Sequence, residues 1–191
     1  NLIAAIPPQA FSELITLEYL TFSDNPLATI PSNAFHGLIS LTHWEFEDCR
    51  IVNVDPNWFR DLYFLTDLRL DGNLIQRLPV DAFNVLRRLM VLSISNNRIR
   101  NLNSNAFGSS LESLVLLYAN GNGIRSVDDE IISRASRLSS LQLNNNNCVN
   151  QIFANVQGNL EEVRTALAEC FRMFTGFIEC TYVRVRNDYI C

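Results

Sequence analysis

The chain has 191 residues, 48% of them hydrophobic, and carries a net charge of −5. No stretch approaches the roughly 18 apolar residues that a membrane-crossing helix needs. That composition rules out a disordered tail and a membrane span, and the sign of the charge argues against nucleic acid and for a basic partner. All 15 basic residues are Arg, and the sequence offers no physical reason for the lack of Lys.

The first 147 residues repeat one frame. Taking Asn97 as anchor, Leu89, Leu92 and Ile94 precede it by eight, five and three, and Ile99, Leu102 and Phe107 follow by two, five and ten. The same frame fits Asn25, Cys49, Asn73 and Asn122, and reaches Asn146 through Leu138, Leu141 and Leu143. Asn1 fits through Ile3, Ile6 and Phe11, so the first coil is expected to be partial. The spacing is 24 with one residue inserted in "FGSSLESL". The opening, "NLIAAIPPQAF", lacks the basic n-region and cleavage site of a signal peptide. No cysteine-rich cap precedes it, as expected of a processed or truncated start, or of an edge covered by a partner.

Each copy holds an alternating "LxLxx" segment, which predicts a short strand. One coil cannot bury its own leucines, so the copies are expected to stack into a solenoid with a parallel sheet on one side. Phe11, Phe35, Phe59, Phe83 and Phe107, then Ile132, are expected to form a spine under the other side. After each strand the chain must turn inward with its backbone groups facing the core. A buried backbone group left unpaired costs about 1–3 kcal/mol. Asn offers an acceptor and two donors on a short stem. Asn25, Asn73, Asn97, Asn122 and Asn146 are therefore read as a structural ladder, with Cys49 as a buried, free thiol in one rung.

The repeated LxxLxLxxNxLxxLPxxAFxxL pattern resembles the leucine-rich repeat, in its 24-residue extracellular form. The resemblance covers residues 1–147 and implies a right-handed α/β solenoid, a horseshoe with a parallel concave sheet. It also implies a protein-binding, non-catalytic role. Related insect proteins and Toll-like receptor ectodomains serve innate immunity and signalling.

On such a scaffold the non-leucine strand positions form the inner wall. Six before each anchor stand Tyr19, His43, Asp67, Val91, Leu116 and Ser140; four before stand Thr21, Glu45, Arg69, Ser93, Tyr118 and Gln142. Two before stand Ser23, Glu47, Asp71, Ser95, Asn120 and Asn144, and one before stand Asp24, Asp48, Gly72, Asn96, Gly121 and Asn145. Asp24, Glu45, Glu47, Asp48, Asp67 and Asp71 against Arg69 leave a patch of −5, six acids less one base. A basic protein ligand would relieve that repulsion. Val91, Leu116 and Tyr118 add an apolar, aromatic spot beside it. The competing reading is a solvated face with no ligand. Clustered carboxylates suit calcium, but no EF-hand spacing is present, so no metal and no cofactor are expected. His43 with Glu45 or Asp67 lacks a nucleophile, so no catalytic residue is assigned. His36, in "AFHGL", is placed on a convex loop, and no N-x-S/T glycosylation acceptor occurs.

Four of five cysteines fall in the last 44 residues, which predicts a disulfide-stapled terminus and a secreted protein. Their spacing fits no zinc site. "GNLEEVRTALAECFRMF" reads as a helix with Asn159 as N-cap, Glu162 completing a capping box, and Leu160, Val163, Leu167, Cys170, Phe171 and Phe174 on one face. Residues 148–176 are thus a helical cap and 177–191 a hairpin, turning near Asn187 and Asp188. Four cysteines allow three pairings; the one adopted is Cys148–Cys170 and Cys180–Cys191. "NNCVNQIF…LAEC" resembles the C-terminal cap of secreted insect leucine-rich-repeat proteins. "ECTYVRVRNDYIC" resembles a CxFxxxxxxYxC segment that opens such proteins, with Tyr182 for Phe, which implies the start of a further module. The second function weighed is a structural, carrier or assembly protein that joins copies or other chains through the uncapped edge.

Overall fold

Each alternating segment forms a three-residue strand: β1 (Tyr19–Thr21), β2 (His43–Glu45), β3 (Asp67–Arg69) and β4 (Val91–Ser93). In this computed structural model, which describes residues 2–27, 30–180, 184–185 and 188–189, two short strands follow in later coils. These are β5 (Asn101–Leu102) and β7 (Ser126–Val127), flanking β6 (Leu116–Tyr118). Then come α1 (Glu130–Arg134), β8 (Ser140–Gln142), β9 (Ile152–Ala154) and α2 (Leu160–Cys180). Last are β10 (Arg184–Val185) and β11 (Asp188–Tyr189), an antiparallel pair with Val185 opposite Asp188.

The main sheet runs β1-β2-β3-β4-β6-β8-β9, and the repeat strands pair in parallel. Register follows the period: Tyr19 faces His43, His43 faces Asp67, and Asp67 faces Val91. The inserted residue falls between β4 and β6, where Val91 still faces Leu116. A 3-10 segment at Gly108–Glu112, on the return side, takes up the extra residue and leaves the sheet untouched.

The core lies between the sheet and the return segments. Leu41, Leu65, Leu89 and Leu114, each eight before an anchor, are fully buried. The phenylalanines stack, but not as one unbroken spine. Phe11 and Phe35 lie 5.9 Å apart, Phe59 and Phe83 5.6 Å, and Phe83 and Phe107 5.8 Å. Between Phe35 and Phe59 the path runs through Trp44, 4.4 Å from the first ring and 5.3 Å from the second. Trp44 stands where the other coils carry Leu, and its larger ring reaches into the spine.

Three features differ from the sequence expectation. The sheet is only largely parallel: β9 pairs antiparallel with β8, placing Phe153 opposite Leu141 and covering the last repeat strand. Within the repeats, the segments outside the main sheet are turns, 3-10 segments such as Pro56–Phe59 and Ser104–Ala106, and the short parallel pair β5–β7, apart from the five-residue α1. A 24-residue coil leaves little length there, and Pro31, Pro56 and Pro79 interrupt it. The α of the α/β class therefore lies chiefly in α2. That helix also runs past 176 to Cys180, since a single Gly176 weakens a helix without ending it.

The face of α2 packs as its periodicity requires. Val163, Leu167 and Cys170 are buried, and Leu160 and Phe171 pack partly buried against the same core. Cys148 and Cys170 form a disulfide across a Cα separation of 5.4 Å, stapling the helix to the last coil. No helix among the described residues is long and apolar enough to cross a membrane. The expected Cys180–Cys191 bond, the Asn1 anchor, the Tyr182 match and the turn at Asn187 lie outside the described residues.

Candidate binding face

The scaffold of the face is the ladder beneath it. Asn73 Oδ1 accepts from the N–H groups of Ile51 and Cys49, at 2.9 and 3.2 Å, in the preceding coil. Its Nδ2 donates back to Phe46 and to its own Leu70 and Asp71 carbonyls. Asn97, Asn122 and Asn146 repeat the arrangement, accepting from Ile75, Ile99 and Ile124 and donating to Leu70, Ile94 and Ala119 respectively. Asn25 accepts from Ile3. Cys49 retains half of the function. Its thiol donates to Phe22 O and Glu47 O, both at 3.2 Å, but it has no amide oxygen to offer. Leu27 N–H, the group such an oxygen would have received, turns instead to Asn25 O at 2.8 Å. Burial pushes the Cys49 thiol up, which keeps the proton it donates.

The same period sets the outer columns in register. Tyr19, His43, Asp67, Val91, Leu116 and Ser140 form one row across β1 to β8, and Thr21, Glu45, Arg69, Ser93, Tyr118 and Gln142 form the next. Glu45 lies 3.7 Å from Arg69, and His43 Nε2 lies 3.5 Å from Asp67 Oδ2. Thr66 donates to the same Asp67 oxygen at 2.8 Å. Burial, and then the neighbouring Asp71 and Glu45, push the Glu47 carboxyl above the usual carboxylate range, with Arg69 opposing. Val91 and Leu116 face each other half-buried, with Tyr118 opposite Ser93.

Two sets of acids have additional structural roles. Asp71 Oδ1 accepts from Ser93 Oγ at 2.6 Å and from Ser95 N–H at 2.7 Å, tying β3 to β4. Asp24 and Asp48 stand one before their anchors, where every coil has positive φ: 60° and 54° here, then 67° at Gly72, 54° at Asn96, 65° at Gly121 and 58° at Asn145. Only Asp, Asn and Gly occupy this turn because they best tolerate the left-handed region. At Gly72 an added Cβ would come within 2.0 Å of Asp48 Oδ1 in the coil before, so a side chain there would displace the Asp48 carboxylate.

The sequence matches the model of the leucine rich repeat family over residues 1–45 and 64–124. The chain belongs to the leucine-rich-repeat family. No curated protein matches the sequence. Among solved structures, this leucine-rich-repeat chain is similar to the crystal structure of a TLR13–ssRNA13 complex, with a TM-score of 0.71 and 31% identity over 76% of this chain and 20% of that one. It is also similar to the leucine-rich repeat domain of mosquito APL1, with a TM-score of 0.69 and 23% identity over 76% of this chain and 38% of that one, a likeness of fold alone. It thus spans a fifth of the first protein chain and under two fifths of the second.

Sequence reasoning set one further residue on the inner wall without including it in the binding patch. Tyr19 is half exposed, stacks on His43 at 6.0 Å, and hydrogen-bonds Glu45, which raises its phenol. Its place in the same column as His43 was the available signal. His36 lies off the sheet, bonded through Nδ1 to Asp61 at 2.6 Å. Among the described residues, no group of His, Cys, Asp and Glu is arranged to hold a metal ion.

Proposed function

We propose that this leucine-rich-repeat chain is a secreted, non-catalytic recognition module that binds a protein with a basic surface. It docks on the acidic part of the concave face, in an innate-immune or signalling setting. The observation that carries the reading is the grouping of Glu45 at the end of β2, Glu47 two residues beyond it and Asp67 on the adjacent β3. The apolar Val91–Leu116 pair and Tyr118 lie beside them. Glu47 is held above its usual range partly by neighbouring acids, so a cationic ligand there relieves repulsion already present. The Cys148–Cys170 staple supports an oxidising compartment. Similarity to an immune receptor structure supports the setting.

The test is capture from native body fluid on the immobilised chain, at low and at high salt. The variant compared carries Glu45→Gln, Glu47→Gln and Asp67→Asn, and keeps Asp71 because that residue ties two strands together. A basic protein retained by the parent, lost on the variant and released by salt is the expected result. Equal retention by both chains overturns the reading.

A further inference from the structure

The acidic part of the face has a basic counterpart elsewhere on the molecule. Beyond each anchor the chain leaves the sheet along one flank, with alternate residues turned outward. Arg98 and Arg100 point out on either side of buried Ile99, and Arg125 does so after buried Ile124. The backbone stacks these coils directly: Arg125 N–H donates to Arg100 O at 2.8 Å, and Gly123 N–H to Ile99 O at 3.1 Å. Arg100 and Arg125 are therefore neighbours at the same position of successive coils. Arg98 and Gly123 are neighbours two residues earlier. Gly123 has no side chain, and a hollow of about 450 Å3 opens there, rimmed by the three arginines with Gln76 and Asn147 at its ends.

Among the described residues, no carboxylate pairs with Arg98, Arg100 or Arg125. Glu169, which shares the neighbouring hollow with Arg125, is engaged with Arg172 on its own helix. Three guanidinium groups gathered without a counter-charge repel one another. Their planar donor forks bind carboxylates and tetrahedral oxyanions bidentately, and three forks around one hollow suit the three or more acceptor oxygens of a sulfate or phosphate better than the two of a carboxylate. The amides of Gln76 and Asn147 can both donate and accept, as hydroxyl groups require. Among the described residues no aromatic side chain lines the hollow, which therefore offers none of the stacking platform that single-stranded nucleic acid uses.

We propose that this flank hollow binds a sulfate or phosphate ester carried on a sugar, with Arg98, Arg100 and Arg125 holding the oxyanion. The site is separate from the acidic face and does not depend on it.

Calorimetric titration of the full chain tests this, with two probes that separate the sources: a heparin-derived sulfated hexasaccharide and glucose 6-phosphate. Binding of either supports the shared oxyanion chemistry and identifies which ester is preferred; binding of neither at millimolar concentration overturns it. The Arg100→Gln, Arg125→Gln double variant is expected to lose affinity about tenfold or more, since two charge-assisted contacts are removed. Gly123→Leu is expected to lose a similar factor by filling the hollow at unchanged charge. Its backbone is not left-handed, and an added Cβ meets nothing nearer than Ile99 O at 3.9 Å, so the chain tolerates it. Arg137→Gln, in a different hollow beside Arg87, is the control and should bind like the parent. Thermal melts establish that each variant is folded. Equal loss in the Arg137 control, or full binding by the Gly123 variant, reduces the effect to general charge and overturns the site. Tighter binding of a single-stranded RNA homopolymer, with the same dependence on Arg100 and Arg125, overturns it in favour of nucleic acid.

Discussion

The rung at Cys49 shows what each asparagine contributes, because it is the ladder with one half missing. A thiol replaces the donor but not the acceptor, and Leu27 N–H is left to a carbonyl of its own coil. Asn97→Ala removes both halves at once, orphaning Ile75 N–H and weakening the pairing of the Leu70, Ile94 and Ser95 carbonyls. The expected cost is about 3 kcal/mol, at the upper end for a buried network. Cys49→Asn works in the opposite direction and should add about 1 kcal/mol by giving Leu27 its acceptor. Urea denaturation measures both, and a Cys49→Asn chain no more stable than the parent removes the account of the missing half. Glu47 gives a prediction with a pH sign. Its folded carboxyl sits above the usual range through burial and the nearby Asp71 and Glu45, so the folded state binds that proton more tightly than the unfolded state. Stability from this group therefore falls as pH rises from the ordinary carboxylate range through its higher folded value. Glu47→Gln should melt above the parent at neutral pH, and the gap should close below the ordinary carboxylate value of about 4. A gap that widens on acidification contradicts the burial argument.

At the scale of elements, α2 and β9 close the end of the stack by different means. The helix lays Val163, Leu167 and Cys170 over the last coil, whereas the strand satisfies the edge of β8 with backbone pairing. Cys148–Cys170 spans 22 residues, and removing it by a double Ser substitution should cost about 3 kcal/mol on the chain-entropy estimate. Amide exchange should locate that loss in α2 and β8, leaving β3 and β4 protected; uniform loss along the chain contradicts a local cap. The sequence made some of these elements legible and not others. The α2 face was readable because 17 residues repeat a helical period. β9 was not, because three residues outside the repeat frame carry no period, and its pairing depends on an exposed edge that exists only once the solenoid has formed. Trp44 bridging Phe35 to Phe59 was hidden for a related reason: the frame marks a core position, and only packing shows how far a larger ring reaches.

The whole molecule separates its charge, with acids on β2 and β3 and unpaired arginines on the flank of later coils. The acids were visible to sequence reasoning because strand register places alternate residues on one face. The turn role of Asp24 and Asp48 was also visible in outline, since Asp, Gly and Asn alternate before every anchor, yet φ had to be known to separate turn from wall. The arginine hollow was not legible, because it arises from side chains of different coils around a glycine that reads as nothing by itself. The same one-dimensional stacking sets how stability is distributed. An interior strand such as β4 packs between two neighbours, whereas β1 has one described neighbour, β2. Leu92 is fully buried, but Leu20, at the equivalent position of β1, is only partly so, as are Phe11, Leu17 and Phe22 around it. Leu92→Ala should cost about 3–4 kcal/mol, the transfer of the lost methyl groups plus a cavity that the coils on both sides hold open. Leu20→Ala should cost about half as much, because part of that side chain already meets water and less burial is lost. Urea denaturation of both variants against the parent gives the two numbers directly, and amide exchange should show the Leu20 loss confined to β1. Equal costs would mean that β1 is held as firmly as β4, and nearest-neighbour stacking would then not be what distributes stability along this chain.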